Sequence, residues 1–120
     1  MPKFTFREKE YNNPVELALE LIGGKYKMPI LWRLKDKAWR YGELKKGVGK
    51  ITHKMLTEQL RELESDQLIH RKVFPEIPPK VEYSITPLGQ KSIAIIEMLR
   101  NFGYEYKEEY EKININQKSE

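Results

Sequence analysis

The stretch that decides the fold is Ile51-Thr52-His53-Lys54-Met55-Leu56-Thr57-Glu58-Gln59-Leu60-Arg61-Glu62-Leu63-Glu64. Its leucines recur at steps of four and three, which predicts one helix from His53 to about Asp66, with Thr52 as its N-cap. The apolar face is formed by Leu56, Leu60 and Leu63. At about 100° per residue the opposite, outward face carries Lys54, Glu58, Arg61 and Ser65, with Thr57 on a flank.

Four shorter elements are predicted before this helix. Asn13-Pro14 is typical of a helix start, because Asn caps and Pro suits the first turn. That first helix ends at Gly23-Gly24, and a second runs from Lys27 to about Lys35. A short extended piece at 39–41 and a short helix at 42–48 follow. The residues expected to face the core in this region are Val15, Leu17, Ala18, Leu21, Ile22, Ile30, Leu31, Leu34, Leu44 and Val48, and we expect Met28, Trp32, Trp39 and Met55 to fill the core as well.

After the long helix the apolar period changes from helical to alternating. Residues 68–74 and 81–85 are predicted strands. The segment between them, Pro75-Glu76-Ile77-Pro78-Pro79-Lys80, is rich in proline, which favours a stiff loop, so the pair forms a hairpin with a projecting tip. The alternative for this loop is a ligand of the PxxP class.

The last predicted helix starts at Thr86-Pro87 and ends at about Lys112. Its apolar seam consists of Ile95, Leu99, Phe102, Tyr106, Tyr110 and Ile113. This seam is longer than one small domain covers, so it predicts a partner subunit. The alternative is that the seam packs wholly on its own core. The segment Asn114 to Glu120 is expected to fray.

Composition limits the function. The 120 residues include no cysteine, which excludes disulfides, thiolate metal sites, thiol catalysis and cysteine redox sensing. The first ten residues lack the apolar core of a signal peptide, and no stretch reaches the length of a membrane span, so we expect a cytoplasmic protein without membrane contact. No phosphate-loop, dinucleotide or metal motif occurs, so we expect no cofactor, no metal and no enzymatic activity.

Positive charge is concentrated in one quarter of the chain. The whole chain has a net charge of +4, but residues 25–54 hold ten Lys and Arg against only Asp36 and Glu43. Such a field favours nucleic acid as a partner. The alternative is that these side chains only solvate helix faces.

The order of elements is that of a single winged helix-turn-helix domain over residues 1–120, mainly α with a small β-hairpin. Its parts are an N-terminal arm (1–12), the first helices (13–35), the helix-turn-helix (40–66), the wing (68–85), a C-terminal dimerisation helix (86–112) and a frayed tail (113–120).

The residues also resemble a known family. Residues 17–27, 30–34, 40–44, 51–64 and 73–89 are similar to the HxlR family of bacterial transcription regulators, relatives of the MarR winged helices. The resemblance covers about residues 13–106. It implies a homodimer that binds operator DNA, with the first and last helices at the dimer interface. Some members of the family sense oxidants with a cysteine just before the proline of the first helix, and Asn13 stands at that place here.

Candidate DNA contacts follow from this fold. For base readout we select Thr52, His53, Lys54, Thr57, Glu58 and Arg61, with Lys54 and Arg61 the strongest because they reach guanine edges or phosphates. Thr52 could equally be only a cap, His53 a surface residue, and Glu58 a neutralising partner of Arg61. For phosphate contacts we select Arg40, Tyr41, Lys45, Lys46, Lys50 and Lys80, whereas Arg71 and Lys72 could belong to the solvent face of the wing strand.

The expected dimer interface consists of Leu17, Leu21, Ile95, Leu99, Phe102, Tyr106 and Tyr110. A small-molecule effector could enter a groove near Trp32, Phe102 and Tyr106. The competing interpretation is a winged-helix module that binds an acidic protein or RNA and has only nonspecific affinity for DNA.

Overall fold

The structure, a computed structural model, describes the backbone of residues 1–119 and the side chains of residues 1–115. Helices and two small antiparallel sheets alternate along this part of the chain. In order, the elements are β1 (Phe4–Phe6), β2 (Lys9–Tyr11), α1 (Pro14–Ile22), α2 (Lys27–Arg33), β3 (Trp39–Arg40), α3 (Tyr41–Val48), α4 (His53–Ser65), β4 (Ile69–Phe74), β5 (Lys80–Ile85) and α5 (Pro87–Ser119). The predicted winged helix-turn-helix is confirmed, with α3 and α4 as its two helices and β4–β5 as its wing.

Three helices begin at the capping residues that the sequence indicates. The Asn13 side chain accepts the amide of Glu16 at 3.1 Å, and the Glu16 carboxylate accepts the backbone amide of Asn12 rather than that of the cap itself. Thr52 Oγ1 caps α4, and Thr86 Oγ1 caps α5, each accepting an amide three residues on. These bonds satisfy donors that a helix start otherwise leaves unpaired.

One apolar core joins α2, α3, α4, the wing and the start of α5. Its buried members are Ile22, Ile30, Leu31, Leu34, Leu44, Ile51, Leu56, Leu60, Leu63, Leu68, Ile69, Tyr83 and Ile96. The predicted α4 stripe is confirmed. Met28, Trp32 and Trp39 pack against this core while partly exposed. The expectation for Val15 and Met55 was wrong: they are 50% and 37% exposed. Val15 lies in the first turn of α1, two turns before the buried Ile22, and Met55 lies about 100° around α4 from Leu56.

The wing is a regular antiparallel hairpin. β4 pairs with β5 from Ile69 opposite Ile85 to Phe74 opposite Lys80, and the short β3 adds to the other edge of β5. Trp39 lies opposite Tyr83 in that outer pair. β3 leads directly into α3, so the sheet fixes where the first helix of the helix-turn-helix begins.

The N-terminal arm differs from the prediction, because residues 4–11 form a hairpin, β1–β2. Arg7 at its tip pairs with Asp66 after α4 at 2.7 Å. Lys9 and Tyr11 both bind the carboxylate of Glu20 on α1, and these two hydrogen bonds lower the pKa of Glu20. The hairpin is therefore fastened to both α1 and the end of α4.

Helix α5 is longer than predicted. It continues to Ser119, so its predicted end near Lys112 was wrong, whereas the predicted fraying of the tail stays a prediction; Glu120 lies outside the described residues. No Gly or Pro interrupts residues 104–119, and nothing in that sequence stops the helix. All residues from Glu97 to Ile113 are exposed, so most of α5 projects from the domain.

Candidate nucleic-acid interface

The outward face of α4 carries the predicted base-reading residues. Five of them are exposed and Thr57 is half-buried; the exposed ones are Thr52, His53, Lys54, Glu58 and Arg61. Because the three leucines anchor the opposite face in the core, this face is presented to solvent as a rigid unit. An α-helix fits the major groove, which is about 12 Å wide, where base edges carry a distinct donor and acceptor pattern for each base pair.

Tyr41, the first residue of α3, positions the start of α4. Its hydroxyl lies 2.7 Å from Nδ1 of His53, donates to the backbone carbonyl of His53 at 3.2 Å and lies 3.4 Å from Oγ1 of Thr57. The rings of Tyr41 and His53 also meet edge to face, with centroids 5.1 Å apart. Sequence reasoning missed this contact, because no local spacing indicates a pair twelve residues apart. His53 therefore has a defined orientation on the surface.

Most of the positive charge in residues 25–54 is not neutralised. Within the described residues, only Lys27 and Lys35 of the ten basic side chains form an ion pair, with Glu62 at 2.7 Å and with Asp36 at 3.3 Å. Glu43 instead accepts the backbone amide of Arg40 at 2.9 Å and so closes the start of α3. The concentration of positive charge seen in the sequence therefore persists in the folded chain.

The predicted phosphate-contacting residues fall into two groups. Arg40, Lys46 and Lys50 are exposed and Lys45 is partly exposed, all close to the helix-turn-helix. Lys80 is engaged within the wing, where its ammonium lies 2.9 Å from Glu82 and 4.6 Å from the ring of Phe74.

Arg71 and Lys72 on β4 also have partners in the wing region. Arg71 pairs with Glu64 at 3.6 Å, and Lys72 lies over the ring of Phe74 at 4.8 Å. Both side chains are exposed, and as neighbours on a strand they point to opposite faces of the hairpin.

A cleft of about 410 Å³ separates the wing tip from the start of α3. It is lined by Arg40, Tyr41, Gly42 and residues 76–81. Through Tyr41 and its contact with His53, the cleft is continuous with the first turn of α4. The wing tip, the first turn of α3 and the first turn of α4 therefore lie on one side of the domain.

Arg61 and Glu58 do not pair with each other in the described part of the chain. Arg61 lines a second cleft, of about 560 Å³, between α4, α1 and the N-terminal hairpin, together with Tyr11, Lys27 and Glu62. The carboxylate of Glu62 is held by the buried Lys27. Within the described residues Arg61 therefore has no ion-pair partner, and it lies exposed at the edge of the outward face.

The apolar seam of α5 is exposed along its length. Ile95, Leu99, Phe102, Tyr106, Tyr110 and Ile113 are each between 46% and 65% exposed. The rings of Phe102, Tyr106 and Tyr110 follow one another with centroids 6.3 Å and 5.9 Å apart. Within one chain the seam does not pack on its own core. Leu17 and Leu21 of α1 share an apolar cleft of about 250 Å³ with Ile95.

Trp32 lines a shallow cleft of about 430 Å³ with Leu99 and Arg100. Phe102 and Tyr106, which the sequence grouped with Trp32, do not line it and lie farther along α5. Among the described residues, no three His, Asp or Glu side chains are grouped so that they could hold a metal ion. None of the described helices is both long and apolar enough to cross a membrane.

Comparison with known proteins agrees with this geometry. A family model described as HxlR-like helix-turn-helix matches residues 21–111. Two uncharacterized HTH-type transcriptional regulators of Bacillus subtilis (strain 168) are similar in sequence. YdeP is 45% identical over 107 residues, which are 89% of this chain and 84% of YdeP. YtcD is 48% identical over 96 residues, which are 80% of this chain and 76% of YtcD.

Among solved structures, the redox regulator HypR in its reduced form superposes with a TM-score of 0.78 at 39% identity, covering 83% of this chain and 99% of that one. The family model spans well over half of the chain and includes both helices of the helix-turn-helix and the wing. The chain therefore belongs to the HxlR-like helix-turn-helix family of transcriptional regulators.

Proposed function

We propose that this protein acts as a homodimer that recognises a specific operator sequence in double-stranded DNA. The observation that carries the proposal is the outward face of α4, which is exposed and lies beside a block of basic residues of which only Lys27 and Lys35 are ion-paired within the described chain. Cations in such a position attract the phosphate backbone of any duplex, and the α4 side chains then select among base sequences.

Base selection is assigned to Thr52, His53, Lys54, Thr57, Glu58 and Arg61. Lys54 and Arg61 donate to guanine O6 and N7, for which the planar guanidinium of Arg61 allows two parallel bonds. Glu58 accepts from a cytosine amino group. Thr52 also caps α4, and His53 and Thr57 are held by Tyr41.

Orientation on the duplex is assigned to the phosphate contacts of Arg40, Tyr41, Lys45, Lys46, Lys50 and Lys80. Lys46 and Lys50 are exposed near the turn between α3 and α4. Lys80 must exchange Glu82 for a phosphate oxygen, and Tyr41 must share its hydroxyl between His53 and phosphate. These two contacts therefore contribute less to affinity than the exposed lysines do.

The dimer is assigned to α1 and α5. An exposed apolar seam several turns long is covered when the same seam of a second copy packs against it about a twofold axis. The interface residues are Leu17, Leu21, Ile95, Leu99, Phe102, Tyr106 and Tyr110. A twofold dimer places two α4 helices in successive major grooves, so half-sites about one helical turn apart are expected.

Regulation in this protein does not use cysteine chemistry. HypR is a redox regulator by its description, whereas this sequence has no cysteine, and the Asn13 side chain caps α1. An effector that changes DNA affinity must prefer one conformation of the dimer.

The proposal is tested by selecting duplexes from a randomised pool and measuring fluorescence anisotropy with the best duplex and its scrambled version at two salt concentrations. We expect a preference of roughly a thousandfold and one dimer per site. Lys54→Ala should reduce that preference, while Lys112→Ala, the same charge change on the ion-paired end of α5, should leave it unchanged. Equal, salt-sensitive binding to both duplexes would favour the protein-interaction or RNA-binding module instead.

A further inference from the structure

The wing tip presents an apolar side chain to solvent. Residues 75–79 are all exposed, and Ile77 at their centre is completely exposed, the most exposed of the large apolar side chains in the described residues. The whole apolar surface of Ile77 is hydrated, so the free chain lacks the favourable free energy that burial of an isoleucine side chain would contribute. The residue type is therefore informative about what the tip meets.

The loop that carries Ile77 is stiff. Pro75, Pro78 and Pro79 fix three φ angles, and the amide of Glu76 donates to the carbonyl of Phe74 at 2.8 Å. The base of the loop is braced by the ammonium groups of Lys72 and Lys80, which lie on either strand over the ring of Phe74. Little conformational entropy remains to be lost when the tip docks.

The tip lies on the DNA-facing side of the domain. The cleft between it and the first turn of α3 reaches Tyr41, and Tyr41 contacts His53 at the start of α4. When α4 occupies a major groove, a hairpin projecting on the same side meets the adjacent minor groove. Apolar wedges such as Ile enter minor grooves between base pairs, partly unstack them and bend the duplex.

We infer that Ile77 is such a wedge: it enters the minor groove beside each half-site and partly unstacks one base step, an inference that rests on the proposed DNA-binding function. The apolar surface of Ile77 is then buried against the exposed faces of two base pairs. Pyrimidine–purine steps unstack most easily, so the wedge makes the protein select TA or CA steps that α4 does not touch. The carboxylate of Glu76 opposes the phosphates, and the exposed Lys72 beside the loop offsets it.

The test uses the full chain and the best duplex from the selection described above. A single 2-aminopurine is placed in turn at each adenine flanking the half-sites. With the unchanged protein we expect a several-fold rise in 2-aminopurine fluorescence at one step per half-site. Ile77→Ala should abolish that rise and weaken binding by about 10- to 60-fold per half-site, the value expected for three carbons lost from a buried site.

Two further variants separate the wedge from other effects. Ile77→Leu keeps the apolar volume and should retain the rise, and Val73→Ala, a truncation of another exposed apolar residue on the wing strand, should leave both signal and affinity unchanged. A flat 2-aminopurine scan with unchanged protein, or a rise that survives in Ile77→Ala, overturns the wedge while selective binding still stands. A selection that yields no preferred duplex overturns the proposed function and the wedge together.

Discussion

Phe102→Ser should weaken the proposed homodimer by about 30- to 700-fold. The Phe102 side chain is 65% exposed in the single chain, at the middle of the α5 seam. Complete burial of a phenylalanine contributes about 1.5–3 kcal/mol, so covering the exposed part contributes about 1–2 kcal/mol per chain. A twofold interface contains the residue twice, and the loss of about 2–4 kcal/mol raises the dimer dissociation constant about 30- to 700-fold.

The control for this prediction is Tyr104→Ser. Tyr104 is 62% exposed, but lies about 160° around the helix from Phe102, where the guanidinium of Arg100 covers its ring. Both substitutions place the same residue in the same exposed stretch of helix, so their effects on helix stability are matched. Only Phe102→Ser should change the association.

Sedimentation equilibrium over a range of protein concentrations measures both variants directly. Circular dichroism at the same concentrations checks that each chain remains folded. Equal dissociation constants for Phe102→Ser and Tyr104→Ser, or a monomeric parent protein at the highest concentration, would show that the seam is not the dimer interface.

Three other predictions concern the DNA-binding face and the stability of the chain. Arg61→Ala should lower specific affinity by about 1–3 kcal/mol and relax the choice of one base pair, and equal losses on all sequences would make Arg61 a phosphate contact. Lys46→Ala should weaken binding to all duplexes alike and reduce the slope of log affinity against log salt concentration by about one. Gly89→Ala would place a methyl carbon 2.1 Å from the carbonyl oxygen of Leu68, so we expect a loss of at least about 1–3 kcal/mol in urea unfolding, and an unchanged midpoint would refute this steric argument. Because the pKa of Glu20 is lowered in the folded chain, the stability that its carboxylate contributes is present above pH 4.5 and is lost as pH falls through the folded pKa. The difference in urea midpoint between Glu20→Gln and the parent should therefore shrink as pH falls below the folded pKa, and a difference that is constant with pH would contradict this prediction.

The fold could be predicted wherever a local rule determines the structure. The steps of four and three in Leu56, Leu60 and Leu63 place α4 correctly, since a helix repeats every 3.6 residues and its apolar face must be buried. The caps at Asn13 and Thr52 fix where helices begin, because their side chains act within three residues. These are short-range effects that the sequence shows directly.

Two kinds of feature were not predicted: those held by residues distant in the chain, and those that no local sequence pattern indicates. The N-terminal hairpin has strands of three residues and is fastened by Arg7 to Asp66, a pair 59 residues apart. No spacing rule identifies such a partner. Met55 was assigned to the core from its apolar character alone, although its position about 100° from Leu56 on the helix turns it outward.

The same long-range contacts connect the DNA-binding face to the proposed dimer face. The C-terminal half of α4 is tied to α2 by Lys27 and Glu62, and Asp66 just after α4 is tied to the N-terminal hairpin by Arg7. The three buried leucines hold α4 in place, and these two ion pairs link its C-terminal half to α2 and to the N-terminal hairpin.

The hairpin in turn is bound to α1 through Glu20. Because α1 borders the α5 seam, the packing of the two chains in the proposed dimer would set the distance between their α4 helices. A ligand or substitution that changes the packing at α1 and α5 should therefore alter operator affinity without touching any DNA-contacting residue.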